Sequence, residues 1–141
     1  MREILFRGKR VDNGEWVYGN FCMDAREQFD NECCCDGFIR LYDKNKGKMQ
    51  THEVERDTVG QYTGLKDKNG VKIFEGDILE HNVQGEILVN CGVVNWDESN
   101  GRWAYQLNTM NPGFYMYNSA AHEVIGNVHD NPELVERESN E

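Results

Sequence analysis

The sequence predicts a mostly β protein, and three patterns in its 141 residues lead to that prediction. Asn-Gly pairs, which readily supply the two positive-φ residues of a type I′ hairpin turn, recur at Asn13-Gly14, Asn69-Gly70 and Asn100-Gly101. Apolar and polar residues alternate beside the first and third pairs, as they do in half-buried strands. Helix signals are scarce. We therefore expect short antiparallel strands joined by tight turns.

The N-terminal part, residues 1–56, is expected to form a β hairpin or small sheet region. Apolar residues alternate at Ile4 and Phe6 before the first Asn-Gly pair and at Trp16 and Tyr18 after it. Residues 24–36 have no clear period and are expected to form an irregular loop. A strand is predicted to resume over Phe38–Tyr42.

The second part, residues 57–135, is expected to form a small β barrel. Short strands are predicted at 77–80, 86–97, 102–107 and 123–127, and strands of this number and length are typical of small barrels. In 86–97 the apolar phase slips near Gly92, which predicts a bulge or sharp bend there. Pro132–Val135 is expected to form one helical turn, and residues 136–141 are expected to be a polar tail.

Charge is divided unevenly along the chain. The formal net charge is −10, from 15 Lys and Arg against 25 Asp and Glu. Residues 1–72 are balanced, at 13 of each sign, so the whole excess lies in residues 73–141. Such a field repels phosphate backbones and attracts basic surfaces or cations.

Composition excludes a membrane span, because the chain is only 38% hydrophobic and has a mean hydropathy of −0.77. The N-terminal apolar run is too short and too interrupted by charge for a secretory signal. The five cysteines are an odd number without framework spacing, so we expect free thiols in a reducing cytoplasm.

The segment Gln61–Leu79, QYTGLKDKNGVKIFEGDIL, carries a family resemblance. Further blocks that carry the resemblance follow the family's order along the chain, and they are Phe6–Arg10, Asn13–Gly19, Gly92–Val94, Glu123–Val128 and Asp130–Leu134. Together these blocks resemble the YopX-like family of bacteriophage and prophage proteins. The resemblance implies a mostly β protein whose C-terminal part is similar to an SH3-type barrel, and a phage or prophage origin, hence a bacterial host cytoplasm. It implies no activity, and no catalytic residues are carried over.

Several residues are expected to shape turns rather than to do chemistry. Asp77 is expected to bond nearby backbone N–H groups and so to fix the entry into a barrel strand. Thr63-Gly64-Leu65 is expected to lie in a loop that the Asn69-Gly70 turn closes. The alternative for Glu75 and Asp77 is a pair of metal-binding or acid/base carboxylates, which we disfavour. The expected turn residues are Gly14, Gly64, Gly70, Gly76, Asp77, Gly92 and Gly101.

No complete set of catalytic or metal-binding residues is visible in the sequence. Three adjacent cysteines, Cys33, Cys34 and Cys35, cannot readily all face one zinc ion, and a loop with thiols of unassigned role is the preferred interpretation. A cation site built from His122, His129 and Asp130 is conceivable, but a solvated histidine is commoner. We therefore predict no enzyme, no cofactor and no metal.

The leading hypothesis is a non-enzymatic module that self-associates and binds an unidentified host or phage protein. The alternative is a role linked to nucleic acid. This would act through Arg7, Lys9 and Arg10 with Lys44, Lys46 and Lys48, or through the acidic half as a mimic of phosphate. The aromatic residues are expected to serve the core or a subunit interface, with a peptide groove or a stacking platform as alternatives. The candidate contact residues are Arg7, Lys9, Arg10, Trp16, Tyr18, Trp103, Phe114, Tyr115 and Tyr117.

Overall fold

A computed structural model of the chain describes residues 1–23, 37–81, 90–106, 114–115 and 122–135. Some of the predictions concern residues outside these ranges, namely the expected loop at 24–36 with its cysteine triplet, the tail at 136–141 and the candidate contact residue Tyr117. The described strands are β1 Phe6–Lys9, β2 Trp16–Cys22, β3 Phe38–Asp43, β4 Lys48–Glu53, β5 Gly60–Lys66, β6 Lys72–Phe74, β7 Asp77–His81, β8 Asn90–Asp97, β9 Arg102–Gln106, β10 Phe114–Tyr115 and β11 His122–Asn127.

The prediction of a mostly β protein is confirmed. Helical structure in the described ranges amounts to a 3-10 turn at Arg56–Thr58 and a helical turn at 133–135. None of it is long and apolar enough to cross a bilayer. The chain divides into two compact units, Met1–Tyr62 and Thr63–Glu141, and β5 runs from the first into the second. The expected division of the chain at residue 56 stays a prediction.

The first unit is an antiparallel sheet in the order β4-β3-β2-β1-β5. One face carries its fully buried residues, Ile39 and Val54, because successive side chains of a strand alternate between faces. The far end of β4 returns to β1, where the N–H of Val11 donates to Glu53 and the N–H of Glu55 donates to Lys9. A single bridge between Arg10 and Val54 accompanies these bonds.

The second unit contains the hairpin of β5 and β6 and a five-stranded antiparallel sheet in the order β10-β9-β8-β7-β11. Its core is the cluster Ile73, Leu79, Val94 and Tyr105, all buried. Within the described ranges, β10 and β11 are the two edges of the sheet and do not pair with each other. The sheet is therefore open there, and the SH3-like barrel is not confirmed.

The predicted turn type is wrong. Every described residue with positive φ is a glycine, so Asn13, Asn69 and Asn100 do not take the left-handed conformation that a type I′ turn requires. In the β5–β6 hairpin the N–H of Gly70 donates to Asp67 at 3.0 Å and the N–H of Asp67 donates to Val71 at 2.8 Å. These bonds close a hairpin loop longer than two residues, in which Gly70 is the residue with positive φ and Asn69 precedes it.

The bulge predicted at Gly92 is also wrong. Strand β8 pairs with β7 through Gly92 without a shift in register, and its pairing with β9 is likewise continuous. Val93 and Val94 lie on opposite faces of the strand, and both faces carry apolar residues, so the apparent slip in phase needs no extra residue. The register shift lies in β11, between Val124 and Gly126.

Several strands have no counterpart in the predictions. Thr63-Gly64-Leu65 belongs to β5 and not to a loop, although Gly64 has a positive φ of 89°. Strand β4, KMQTHE, is polar because it lies at the edge of its sheet and most of its residues are exposed. Its sequence therefore lacks the apolar alternation that identifies a half-buried strand.

Candidate functional site

The first sheet carries two basic clusters that are distant in sequence. Strand β1 ends at Lys9, where it meets Trp16 at the start of β2, and Lys9 and Arg10 lie beside Glu55 and Val54, just after β4. The second cluster, Lys44, Lys46 and Lys48, lies in and next to the turn between β3 and β4, at the other end of β4. We call this second cluster the basic end.

One row of large side chains crosses the outer face of the same sheet. Residues directly opposite each other in antiparallel strands point to the same face. Arg7 is opposite Tyr18, and Tyr42 is opposite Met49. Tyr18 and Tyr42 each lie two residues from the pair Asn20 and Arg40, so alternation sets both on the face of that pair. We call Tyr18, Tyr42 and Met49 the exposed row, because they are 47%, 58% and 56% exposed.

Trp16 fixes the position of two cations beside the exposed row. The guanidinium carbon of Arg7 lies 4.6 Å from the centre of the Trp16 ring, and the Nζ atom of Lys9 lies 5.5 Å from it. These are distances at which a cation is attracted to an aromatic face. Arg7 is buried, whereas Lys9 is half-buried.

The two basic clusters differ in how far their charge is neutralised. Arg10 donates to both carboxylate oxygens of Asp12, at 2.6 and 2.9 Å, and this hydrogen bond lowers the pKa of Asp12. In the β3–β4 turn, the Asp43 carboxylate instead accepts from the backbone N–H groups of Asn45 and Lys46. The Asp43 side chain therefore holds the turn, and Lys44, Lys46 and Lys48 are exposed.

The aromatic residues predicted in the second half divide differently. Trp103 is half-buried and packs edge-on against Trp96, with ring centres 5.0 Å apart. Trp96 is 45% exposed beside the turn that contains Gly101. Phe114 and Tyr115 form the short strand β10. The structure thus places Arg7, Lys9, Trp16 and Tyr18 together in the first unit, and Trp103 in the second.

The glycines expected at turns have the following positions. Gly14, Gly70 and Gly101 lie in turns between paired strands, with φ of 72°, 81° and 62°. Gly76, with φ of 88°, lies between β6 and β7. Asp77 is buried beside it and accepts the N–H of Phe74 at 2.8 Å. Gly92 lies inside β8 and not at a turn.

Chemical groups for a metal or for acid/base catalysis are dispersed in the described part of the chain. No three His, Cys, Asp or Glu residues in that part lie close enough to hold one metal ion. His122 is buried and packs edge-on against Tyr105, with ring centres 4.7 Å apart. Burial raises the pKa of Glu75. Asp77, its proposed partner, is occupied by the backbone of Phe74.

The sequence predictions missed Tyr42, Met49 and Arg40 as surface residues. A strand over 38–42 was predicted, and its alternation sets Phe38, Arg40 and Tyr42 on one face. Which face is covered depends on the pairing with β2 and β4, and β4 was not predicted. The available signal was an alternating strand with aromatic and basic residues on the same face.

Comparisons with known proteins agree with this fold. The chain is similar to protein EF1440 from Enterococcus faecalis, whose crystal structure is known. The identity is 26% and the TM-score 0.53, over 96% of this chain and 99% of that one. No curated protein matches the chain. The model of the family described as YopX protein matches residues 5–136. Because that match covers nearly the whole sequence, the chain belongs to the YopX protein family.

Proposed function

We propose that this protein is a phage- or prophage-derived, non-enzymatic binding module that self-associates and binds a host or phage protein. It would act in the bacterial cytoplasm without a cofactor. The binding surface is the exposed row Tyr18, Tyr42 and Met49, together with the adjoining basic end. The observation that carries the proposal is that three large side chains, each about half exposed, lie on one sheet face, with Tyr42 directly opposite Met49.

The composition of this surface supports protein binding. Tyr, Trp, Met and Arg are enriched at protein interfaces, and contiguous exposed apolar side chains mark such sites more strongly than isolated ones do. Tyr18 and Tyr42 offer large rigid surfaces that lose little conformational entropy on binding. Turnover would instead require a nucleophile or acid aligned with a base, whereas this surface consists of recognition side chains.

The double substitution Tyr42→Ser/Met49→Ser tests the proposed surface. We expect self-association, measured by sedimentation equilibrium, to weaken by about tenfold or more, because the central contacts of an interface carry most of its energy. The urea midpoint should stay unchanged, since both side chains are exposed. Val71→Ser is the matched control, because Val71 is also exposed but lies on the β5–β6 hairpin. A wild-type protein that stays monomeric at all concentrations would contradict the proposal.

A second candidate function is linked to nucleic acid, and the three exposed lysines of the basic end favour it. Lysines near exposed tyrosines suit a single strand, whose phosphates bind the cations and whose bases stack on the rings. The net charge of −10 opposes this function. The other form of this second candidate is that the acidic half mimics phosphate charge and so binds a DNA-binding protein. In that case, neutralising Asp and Glu of residues 73–141 should abolish capture of the DNA-binding protein.

Direct binding of nucleic acid is tested by fluorescence anisotropy with a labelled oligothymidylate. If the candidate is correct, affinity should fall steeply with salt, and Lys44→Glu/Lys46→Glu should reduce both the affinity and the salt slope, by about one unit per lost contact. Lys66→Glu is the control, because Lys66 is exposed at the end of β5, outside the basic end. Binding that is absent at low salt eliminates this form of the second candidate.

A further inference from the structure

The second unit has an acidic end, which the strand registers bring together. Strand β7 begins beside the last residue of β11, because Asp77 pairs with Asn127, and β8 runs in the same direction four residues beyond Val93, the partner of Ile78, before it ends at Asp97. The segments that leave these three strands carry carboxylates. We call this region the acidic end, and it contains Glu75, Asp97, Glu98, Asp130 and Glu133.

The acidic end also presents an aromatic side chain. Trp96, next to Asp97 in β8, is about half exposed and is held in place by its edge-on contact with Trp103. Arg102 lies at the same end, but its Nε atom is 3.2 Å from Asp97 Oδ2 and is paired with it. Glu98 and Glu133 are exposed. The end therefore combines negative charge with an apolar ring.

The first unit presents the complementary combination. The exposed row supplies Tyr18, Tyr42 and Met49, and the adjoining turn supplies Lys44, Lys46 and Lys48. Each surface thus combines apolar side chains with charged ones, and the charges of the two surfaces are opposite in sign. Surfaces of opposite sign steer encounters and fix the register of a complex.

We propose that copies of this protein associate head to tail, with the exposed row and basic end of one copy bound to the acidic end of the next. This inference rests on the proposed function and names the two surfaces that meet. Such contacts are heterologous, so each copy uses two different surfaces and the assembly grows into a ring or a filament. An isologous contact between two basic ends would instead set lysines of one copy against lysines of the other.

Two variants, each with one surface reversed in charge, test the inference. Lys44→Glu/Lys46→Glu reverses the basic end, and Glu98→Lys/Glu133→Lys reverses the acidic end. We expect each variant alone to associate at least about tenfold more weakly than the wild type, and wild-type association to weaken as salt rises. An equimolar mixture should recover association, because the intact acidic end of one variant meets the intact basic end of the other and the two reversed ends are again opposite in sign. Light scattering coupled to size-exclusion chromatography measures the masses.

Controls separate this inference from folding and from net charge. Arg2→Glu/Lys66→Glu changes the net charge by the same amount as Lys44→Glu/Lys46→Glu, at exposed residues outside the basic end, and should associate like the wild type. Circular dichroism checks that each variant retains its strands. Should a reversed variant fail to fold, Lys44→Gln/Lys46→Gln and Glu98→Gln/Glu133→Gln replace the pair and should each weaken association.

The outcomes distinguish the inference from the proposed function. Weak association of each variant alone, with association recovered on mixing, supports both. If the variant with the reversed acidic end still associates with itself, the contact is isologous, and this inference is overturned while self-association stands. The same conclusion follows if charge reversal at either end has no effect. A wild-type protein that is monomeric at low salt overturns both.

Discussion

Replacing Asp67 with alanine is expected to lower the free energy of unfolding by about 3 kcal/mol, because three backbone N–H groups lose their acceptor. Asp67 is buried at the β5–β6 turn. Its Oδ1 atom accepts from Asn69 at 2.8 Å and from Val71 at 2.9 Å, and its Oδ2 atom accepts from Val124 of β11 at 3.0 Å. One carboxylate therefore shapes the turn and satisfies the outer edge of β11.

Urea unfolding measures the loss, and hydrogen exchange locates it in the second unit. Asp67→Asn is the matched control, since its carbonyl oxygen can retain the two bonds of the turn while its NH₂ group faces the N–H of Val124. Its loss should be about half that of alanine. Equal loss in both variants would show that the turn bonds contribute little. An unchanged midpoint in Asp67→Ala would contradict the role of the carboxylate.

The same carboxylate makes stability depend on pH in the acid range. Burial alone would raise the pKa of Asp67, but the N–H groups of Val124, Val71 and Asn69 and the charge of Lys68 outweigh it and lower the pKa below 3.8. A lowered pKa in the folded state stabilises the fold above pH 3.8, and this contribution is lost as pH falls below it. Urea midpoints between about pH 5 and about pH 3 should therefore fall less in Asp67→Asn than in the wild type.

Replacing Gly19 with alanine is expected to destabilise the first unit by about 3 kcal/mol, at the upper end of typical overpacking costs. A Cβ atom on Gly19 would overlap the carbonyl oxygen of Arg40 and lie 2.9 Å from its carbonyl carbon. These are backbone atoms of β3, so relief requires the strands β2 and β3 to move apart. Ile39, a fully buried residue of this unit, lies 3.2 Å away through its Cγ2 atom.

Hydrogen exchange should show this loss of protection in β2 and β3, with β7 and β8 of the second unit retaining theirs. Gly14→Ala is the control, because a Cβ there has nothing within 4 Å and only the positive φ of 72° opposes it. The control should cost about 1 kcal/mol. Equal effects of the two substitutions would indicate that backbone conformation, and not the approach of β3, keeps glycine at position 19.

The first hairpin illustrates what local patterns can predict. Alternation at Trp16 and Tyr18 identified β2, and the turn chemistry of Asn13-Gly14 marked where the chain reverses. The details of the turn did not follow, because an asparagine can either enter the left-handed region or precede the glycine that does. The prediction of a bulge at Gly92 was wrong for a related reason. A glycine in a strand marks either a bulge or a close approach, and only the partner strands distinguish them.

The candidate surface depended on information that is not local. Tyr18 and Tyr42 are far apart in sequence and share a face only because β2 and β3 pair. Met49 belongs to a polar edge strand with no apolar alternation, and its exposure beside Tyr42 follows from the register of β3 and β4. The sequence could name basic and aromatic residues, but it could not say which of them share a face.

The sequence by itself determined that this chain forms short strands with glycine-dependent turns, because backbone preferences and side-chain alternation act over a few residues. It also determined the charge asymmetry between the two halves. Tertiary structure alone decided which strands pair, where the bulge lies, and that Tyr18, Tyr42 and Met49 form one exposed row. Strand pairing joins residues distant in the chain, and a shift of one residue in register would turn every side chain to the opposite face.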